Sequence, residues 1–307
     1  MPDTAAARET RNGVIAALIA FITWGIYPIF FRQMASIDPT QIMAWRVLWS
    51  CSVLLILFTS LPHLRVPWEK LRSMRQLGLV LLATVLISIN WFVFIYAVSI
   101  GEILQASLGY FLNPTLSALL GIAVFGEKLN HLKRLSIVVA LAGMALTFLI
   151  AGVVPVLSLT MACSFALYSA VRKRSILDSA SGLYLETLIL VPFAVAYLSL
   201  VPLSPDTFVI PTAIWLVASG IMTLVPLLSA IYATRRIPLS TFGLFQYIAP
   251  CMHLAIAIGL YNEALDLSRT IAFATTMIAV SLFVAGIMQD RQRETRLRRQ
   301  AATRPST

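Results

Sequence analysis

The stretch GYFLNPTLSALLGIAVFGE, residues 109–127, is apolar almost throughout but holds Asn113 and Pro114 side by side near its middle. A helix of this length crosses a bilayer, whose hydrocarbon core needs roughly 20 apolar residues. An amide in hydrocarbon needs a partner, and a proline leaves one backbone carbonyl without its usual donor. We therefore predict a transmembrane helix whose polar groups face a wet cavity. The alternative is that Asn113 only joins helices and Pro114 only kinks one.

The whole chain has the composition of an integral membrane protein. Of its 307 residues, 59% are hydrophobic and 12% are charged, and the mean hydropathy is +0.86. Soluble domains are about 25% charged. Apolar runs long enough to span a membrane account for most of the chain, which leaves no room for a soluble catalytic domain. The ten predicted spans are residues 14–32, 42–60, 77–98, 103–125, 134–152, 155–171, 182–201, 212–233, 239–261 and 269–288.

The basic residues predict the orientation of the chain. With a cytoplasmic N-terminus, all but three of the 23 Lys and Arg residues fall on the inner side, the exceptions being Arg32, Arg46 and Arg269. This pattern follows the positive-inside rule, so it argues against a nucleic-acid partner for the net charge of +10. We predict a multi-pass protein of a bacterial inner membrane with both termini cytoplasmic, and a first span that is retained as an anchor.

The cysteines and the missing motifs narrow the chemistry. Cys51, Cys163 and Cys251 lie within predicted spans and are expected to be buried free thiols. The sequence has no H-E-x-x-H, no G-x-S-x-G and no cysteine–histidine cluster with metal-ligand spacing. We therefore predict that the protein is not an enzyme and that it holds no metal and no cofactor.

The opening stretch has a counterpart at GLFQYIAPCMHLAIAIGLYNEAL, residues 243–265. Both stretches place a glutamate thirteen positions after a proline, at Glu127 and Glu263, and both glutamates are expected to make cap or loop contacts. The fourth and ninth spans run in opposite directions across the membrane. Two halves related by inversion are the arrangement that many secondary transporters use for alternating access.

The predicted fold is therefore an all-α polytopic membrane protein, with ten transmembrane helices in two inverted five-helix repeats. The first repeat comprises residues 14–152 and the second comprises residues 155–288. Residues 1–13 form a cytoplasmic N-terminal tail, and residues 289–307 form a basic cytoplasmic C-terminal tail.

Polar residues at matching positions of the two repeats are candidates for substrate binding. Tyr110, Asn113 and Ser117 share one face of the fourth span, because their spacing is three and four residues. Gln246 and His253 are their counterparts on the ninth span. These faces are expected to line a central cavity.

Four further candidates lie on the first and third spans. Trp24 and Tyr27 belong to an aromatic stripe on the first span, for which helix packing is the alternative role. Asn90 and Trp91 lie past the midpoint of the third span, where an unpaired amide is costly.

Arg46 and Glu186 are the charges set furthest into apolar spans. Each lies in the first turns of its helix but at opposite faces of the membrane, so we expect equivalent positions in the two repeats rather than an ion pair. Arg46 would neutralise an anionic substrate group or hold a gate, and Glu186 would serve the other gate or carry a proton. Snorkelling to the headgroups is the alternative for both. Tyr168 is expected to anchor at the membrane interface or to be the counterpart of Tyr27.

Six segments resemble, in order, the RarD family of chloramphenicol-sensitive proteins, in the EamA group of the drug/metabolite transporter superfamily. They are TWGIYPIFFR (23–32), AWRVLWS (44–50), INWFVFIYAV (89–98), QASLGYFLNPTLSALLGIAVFGE (105–127), GLYLETLIL (182–190) and PLSTFGLFQYIAP (238–250). The resemblance covers residues 13–288 and implies ten helices, a central substrate path, and export or exchange of small metabolites or drugs. It does not identify a physiological substrate.

The sequence thus predicts a secondary transporter that moves a small-molecule substrate through a lipid bilayer, with proton exchange as a candidate coupling. A lipid flippase or a channel is the main alternative, and an intramembrane enzyme would need a chemical pair that the sequence lacks. Substrate, coupling ion, direction and oligomeric state stay open.

Overall fold

A computed structural model describes residues 3–60, 68–125, 129–152, 154–234, 236–237, 242 and 245–302. All regular secondary structure in these ranges is helical, and two short 3-10 turns, Trp68–Arg72 and Pro205–Phe208, join helices. The helices are α1 (Asp3–Gly25), α2 (Tyr27–Arg32), α3 (Pro39–Ser60), α4 (Met74–Ser99), α5 (Ile103–Phe125), α6 (His131–Ala151), α7 (Val156–Arg174), α8 (Ser179–Leu200), α9 (Ile210–Thr234), α10 (Ile248–Gly259) and α11 (Leu267–Ala302).

Eight helical segments of the described chain are long and apolar enough to cross a membrane, which confirms an all-α polytopic membrane protein. They are Arg8–Arg32, Pro39–Ser60, Met74–Ser99, Ile103–Val124, His131–Ile150, Ala180–Leu200, Ile210–Ala233 and Leu267–Asp290. The predicted span at 155–171 is the helix α7, whose serines and three terminal basic residues make it less apolar. Of the predicted span at 239–261, the helix α10 covers only Ile248–Gly259, and several residues before it lie outside the described ranges.

The first predicted span, 14–32, is a single membrane-length segment with a break at Ile26. The helix α1 ends at Gly25, and α2 begins at Tyr27 with Pro28 in its first turn. Because Pro28 has no backbone N–H and fixes its own φ, it is favoured at a helix start and disrupts a continuous helix. Tyr27, the first residue after the break, is 6% exposed.

Close helix packing builds the core of the bundle. The pairs with the most extensive contact are α6 with α11, α5 with α7, α1 with α9, α4 with α7, and α3 with both α8 and α9. Glycines permit the closest approaches, as small residues do in membrane helices. A Cβ added at Gly220 of α9 would lie 2.7 Å from the backbone carbon of Trp49 on α3, and one at Gly109 would lie 2.9 Å from the carbonyl oxygen of Ser158 on α7.

One end of the bundle, which we call the Arg32 end, contains the C-terminal ends of α2, α4 and α10 and the start of α5. Arg32 Nη1 donates to the carbonyl oxygens of Val98 at 2.8 Å and Ser99 at 3.2 Å. Its guanidinium also lies 5.5 Å from the centroid of the Tyr261 ring. The last residue of α2 thus joins the exit of α4 to the loop after α10.

Glu263 closes the same end by capping α5. Its two carboxylate oxygens accept hydrogen bonds from the backbone N–H groups of Ile103 and Leu104, both at 2.8 Å. Burial raises the pKa of Glu263, and the two backbone donors act in the opposite direction. The expected cap role of Glu263 is confirmed, whereas Glu127 lies outside the described residues. Next to this cap, Arg269 Nη2 pairs with Glu102 Oε2 at 2.8 Å.

The opposite end of the bundle, where α1 begins, is joined by more exposed pairs. Arg236 Nε pairs with Glu9 Oε2 at 2.7 Å, and Lys133 Nζ pairs with Asp290 Oδ2 at 2.8 Å. The side chain of Glu9 is 59% exposed. Ion pairs this exposed contribute little stability, typically below about 1 kcal/mol.

The cysteines correct one expectation. Cys51 is buried, but Cys163 and Cys251 are exposed, and all three are free thiols. Cys163 and Cys251 lie on apolar helices, and a position on such a helix is buried only if it faces the other helices. Hydropathy alone gives no information on which face that is.

Candidate functional site

Arg46 is a buried cation within the bundle. It lies in the second turn of α3, its exposure is 3%, and its Nε donates to Thr223 Oγ1 on α9 at 3.1 Å. The guanidinium carbon lies 4.3 Å from the centroid of the Trp91 ring, and Phe31 and Tyr27 are also within cation–π range. Arg46 therefore does not snorkel to a headgroup, and Trp91 and Tyr27, both predicted site residues, lie beside it.

An aromatic cluster extends from Arg46 towards α10. The rings of Tyr27 and Phe94 are 6.1 Å apart, and Phe94 lies 6.0 Å from Tyr110 and 5.5 Å from His253. Tyr110 and His253 are themselves 5.6 Å apart. The Tyr27 hydroxyl donates to the carbonyl oxygen of Met222 at 2.6 Å. Helices α2, α4, α5 and α10 thus bring four rings together at the centre of the bundle.

His253 joins this cluster to α1. Its Nε2 lies 3.0 Å from the carbonyl oxygen of Trp24, and its Nδ1 is buried with no hydrogen-bond partner among the described residues. Because a carbonyl only accepts, Nε2 must carry the proton. In the neutral ring Nδ1 is then an acceptor, turned into the protein without a donor. Trp24, another predicted site residue, contributes its backbone here.

Six further buried polar atoms lack hydrogen-bond partners in the described part of the chain, and four of them lie on α3, on α8 and in the Pro205–Phe208 turn: Trp45 Nε1, Ser50 Oγ, Glu186 Oε1 and Thr207 Oγ1. The other two lie on α5 and next to α10. They are Oδ1 of Asn113 on α5 and the hydroxyl of Tyr247, which immediately precedes α10. Most buried polar atoms in proteins are hydrogen-bonded, so each exception calls for an explanation such as a ligand or an ion. The side chain of Pro114 lies outside the described part of the structure.

The remaining polar candidates on α5 and before α10 differ in exposure. Ser117 is exposed, as is Gln246, while Asn113 is half-buried and His253 is 2% exposed. Ser117 and Gln246, which lie further from the Arg32 end than Asn113 and His253, are therefore the exposed members of this set. An open groove of about 410 Å³ follows the same segment, lined by Tyr247, Ile248, Cys251, Met252 and Ala255.

Asn90 lies apart from the aromatic cluster and joins two helices. It is 1% exposed, and its Nδ2 donates to the carbonyl oxygen of Met161 on α7 at 2.9 Å and to Ser164 Oγ at 3.3 Å. Both contacts are within the protein, so the structure already satisfies the two amide protons of this side chain.

Glu186 forms a second polar cluster. It is fully buried, its Oε2 accepts from the Tyr168 hydroxyl at 3.1 Å, and its Oε1 lies 3.5 Å from Arg172 Nη1. As expected, Glu186 and Arg46 do not pair with each other. Tyr168 donates this hydrogen bond from α7, because a buried carboxylate needs compensation that its neighbours on α7 supply.

Sequence reasoning missed several residues that complete these clusters. Phe94, Thr223, Tyr247 and Arg172 all touch or extend the predicted site. Tyr247 lies in the QYIAP block that carries part of the family resemblance, and this position could have marked it as a candidate site residue. In the sequence, Arg172 is only one of the basic residues on the predicted inner side. Within the described ranges, no group of three or more His, Cys, Asp or Glu residues is arranged to hold a metal ion.

Comparison with known proteins identifies the family of this chain. Residues 11–149 match the EamA-like transporter family. The uncharacterized transporter YojE of Bacillus subtilis strain 168 is 38% identical over 90% of this chain and 94% of its own length. Protein RarD of Salmonella typhimurium strain LT2 is 34% identical over 91% of this chain and 96% of its own. A crystal structure at 17% identity has the same fold, with a TM-score of 0.57 over 89% of this chain and 97% of that one. The chain therefore belongs to the RarD family, in the EamA group of the drug/metabolite transporter superfamily, and is a membrane transporter of that type.

Proposed function

We propose that this protein is a secondary transporter that moves small metabolites or drugs across a bacterial inner membrane by alternating access. The moving units are two inverted five-helix repeats, residues 14–152 and 155–288, with both termini cytoplasmic. In this orientation the Arg32 end is the outer face. The proposal goes beyond family membership in naming the mechanism, the repeats and the membrane.

The pattern of helix contacts supports the repeats. If the halves are equivalent, α1 with α2 corresponds to α7, α3 to α8, α4 to α9, α5 to α10 and α6 to α11. The first span of each half then packs on the third span of the other half, as α1 does on α9 and α7 does on α4. The second, fourth and fifth spans each pack on their own counterparts. Inversion about a two-fold axis in the membrane plane produces these reciprocal pairs.

The observation that carries the proposal is the set of partnerless polar atoms on α5 and at α10, two helices that pack against each other and would be counterparts in the two halves. Among the described residues, Asn113 Oδ1, Tyr247 hydroxyl and His253 Nδ1 are buried without partners on α5 and at α10. Glu263 and its neighbours close the Arg32 end, whereas Ser117 and Gln246, further from that end, are exposed. A substrate path that is closed on one side and open on the other accounts for both features.

Proton exchange is the coupling that the charged groups favour. Glu186 is a buried carboxylate, and a tyrosine hydroxyl and an arginine beside it compensate its charge when it is ionised. A carboxylate inside a transporter bundle commonly marks a proton relay.

The test is uptake and efflux of a metabolite library, including chloramphenicol, in proteoliposomes with and without an imposed pH gradient. The proposal predicts saturable transport with counterflow, in which external unlabelled solute accelerates the exit of labelled solute. Non-saturable flux without counterflow would identify a channel and contradict the proposal. Movement of labelled phospholipid alone would identify a flippase, for which the open groove beside Met252 would be the lipid path.

A further inference from the structure

Arg46 is a buried arginine whose terminal nitrogens have no oxygen partner among the described residues. Among the described residues its only hydrogen bond runs from Nε to Thr223, and no carboxylate lies within ion-pair distance. Arg32 donates to two carbonyl oxygens, Arg172 faces Glu186, and Arg269 faces Glu102. Within the described part of the chain, Arg46 is therefore a buried cation without an anion.

Such a cation is costly, because burial removes hydration that only an anion or several acceptors replace. The faces of Trp91, Phe31 and Tyr27 compensate in part, since each ring offers its negative quadrupole to the guanidinium. These rings leave the donors of Nη1 and Nη2 unused. A guanidinium presents those donors as a planar fork that matches a carboxylate in a two-pronged contact.

We propose that Arg46 binds the carboxylate of a small organic monoanion, which is the substrate class of this transporter. The proposal deepens the transport function above and depends on it. The aromatic rings that surround the guanidinium would contact the apolar body of the same molecule. One cation without a second beside it favours a single negative charge over two.

The position of Arg46 suits a site that both halves of the bundle share. Thr223, its hydrogen-bond partner, lies on α9 of the second half, and Trp91 lies on α4 of the first half. The cluster continues through Phe94 to His253, whose Nδ1 has no partner among the described residues. An anion held here contacts the spans that must move relative to each other during alternating access.

Equilibrium binding to the purified protein in detergent tests the proposal without requiring transport. The probes are benzoate, cinnamate and hexanoate, each compared with its neutral amide, and phenyl phosphate as a dianion. Binding is followed by tryptophan fluorescence, to which Trp91 beside the guanidinium contributes, and by the shift in melting temperature. We expect at least one carboxylate to bind at least about tenfold more tightly than its amide, the effect of one charge-assisted contact.

Arg46→Met separates a binding role from a structural one. It removes the charge but keeps an unbranched apolar side chain, so the melting temperature without probe should stay the same or rise. The carboxylate preference should fall by about tenfold or more. Arg75→Met is the matched control, because it removes one positive charge from an exposed position on α4 and should keep the preference.

Three results would overturn the proposal. They are equal binding of every carboxylate and its amide by the unmodified protein, an unchanged preference in Arg46→Met, and tighter binding of phenyl phosphate than of benzoate. If carboxylates fail to bind to the unmodified protein, the substrate class is wrong. The transport function still stands in that case if Arg46→Met exchanges neutral solutes in proteoliposomes. If no solute at all is exchanged by the unmodified protein, the transport function itself fails.

Discussion

Removing the carboxylate of Glu263 should open the Arg32 end of the bundle without unfolding it. This side chain, in the loop after α10, caps α5 through two hydrogen bonds of 2.8 Å. In the variant Glu263→Ala the N–H groups of Ile103 and Leu104 lose their acceptor. Because this position is only half-buried, water takes up part of the loss.

The expected shift follows from comparable helix caps. Replacing a capping side chain by alanine costs about 0.5–2 kcal/mol, and a hydrogen bond to a charged group contributes about 1.5–3 kcal/mol when it is fully buried. We take about 1–2 kcal/mol for this half-buried pair of contacts. A change of that size multiplies the population that is open at the Arg32 end by about 5–30.

Cysteine labelling measures that population. The reporter is Met34→Cys in a chain whose Cys51, Cys163 and Cys251 are replaced by serine, because Met34 follows α2 at the Arg32 end and is fully buried. When opening is faster than modification, the rate of labelling by a membrane-impermeant maleimide is proportional to the open population. The rate should rise about 5- to 30-fold in Glu263→Ala.

The control is Glu69→Ala, which removes an exposed carboxylate from the turn before α4 and should leave the labelling rate unchanged. The reasoning is refuted if the rate in Glu263→Ala is also unchanged. It is equally refuted if thermal unfolding shows that Glu263→Ala lowers the free energy of global unfolding by the same amount. The faster labelling would then report unfolded protein rather than opening of the Arg32 end.

Three further predictions concern packing, the cavity and coupling. Gly220→Ala places a Cβ about 2.7 Å from the backbone of Trp49, so it should destabilise the protein by about 1–3 kcal/mol in thermal unfolding. The control Gly78→Ala has no atom within 4 Å of the added Cβ and should not destabilise the protein. Equal melting temperatures of the two variants would contradict the packing of α3 on α9. Asn113→Leu should abolish transport in proteoliposomes while the protein stays folded and inserted, and full activity would remove this residue from the substrate path. Glu186→Gln should transport without following an imposed pH gradient, and a retained pH response would exclude this carboxylate as the sole proton carrier.

Hydropathy and residue spacing predicted much of the architecture because a membrane helix must satisfy its own backbone and hide polar groups from lipid. The same rule explains why Arg46, Tyr27, Trp91, Tyr110 and His253 converge. A charge or a ring with a polar tip in an apolar span is stable only when it faces the bundle, so its presence in the span already indicates its direction.

The rest depends on partners that are distant in sequence. Nothing near Asn90 indicates that its amide meets the carbonyl of Met161, and nothing near Tyr247 indicates that its hydroxyl is left without a partner in the described chain. The break before Pro28 is a local signal with two outcomes, a kink or a new helix, and tertiary packing decides between them. Exposure of Ser117 and Gln246 likewise depends on which neighbours surround each helix face.

The central claim is that the two ends of the bundle open in alternation, and paired spin-label distances in lipid nanodiscs test it most directly. One pair, Ser36 and Leu265, reports the Arg32 end, and the second pair, Met74 and Leu228, reports towards the opposite end; all four positions are exposed. The account predicts that Glu263→Ala lengthens the first distance and shortens the second. A first distance that lengthens while the second stays unchanged, or two distances that change in the same direction, would contradict it.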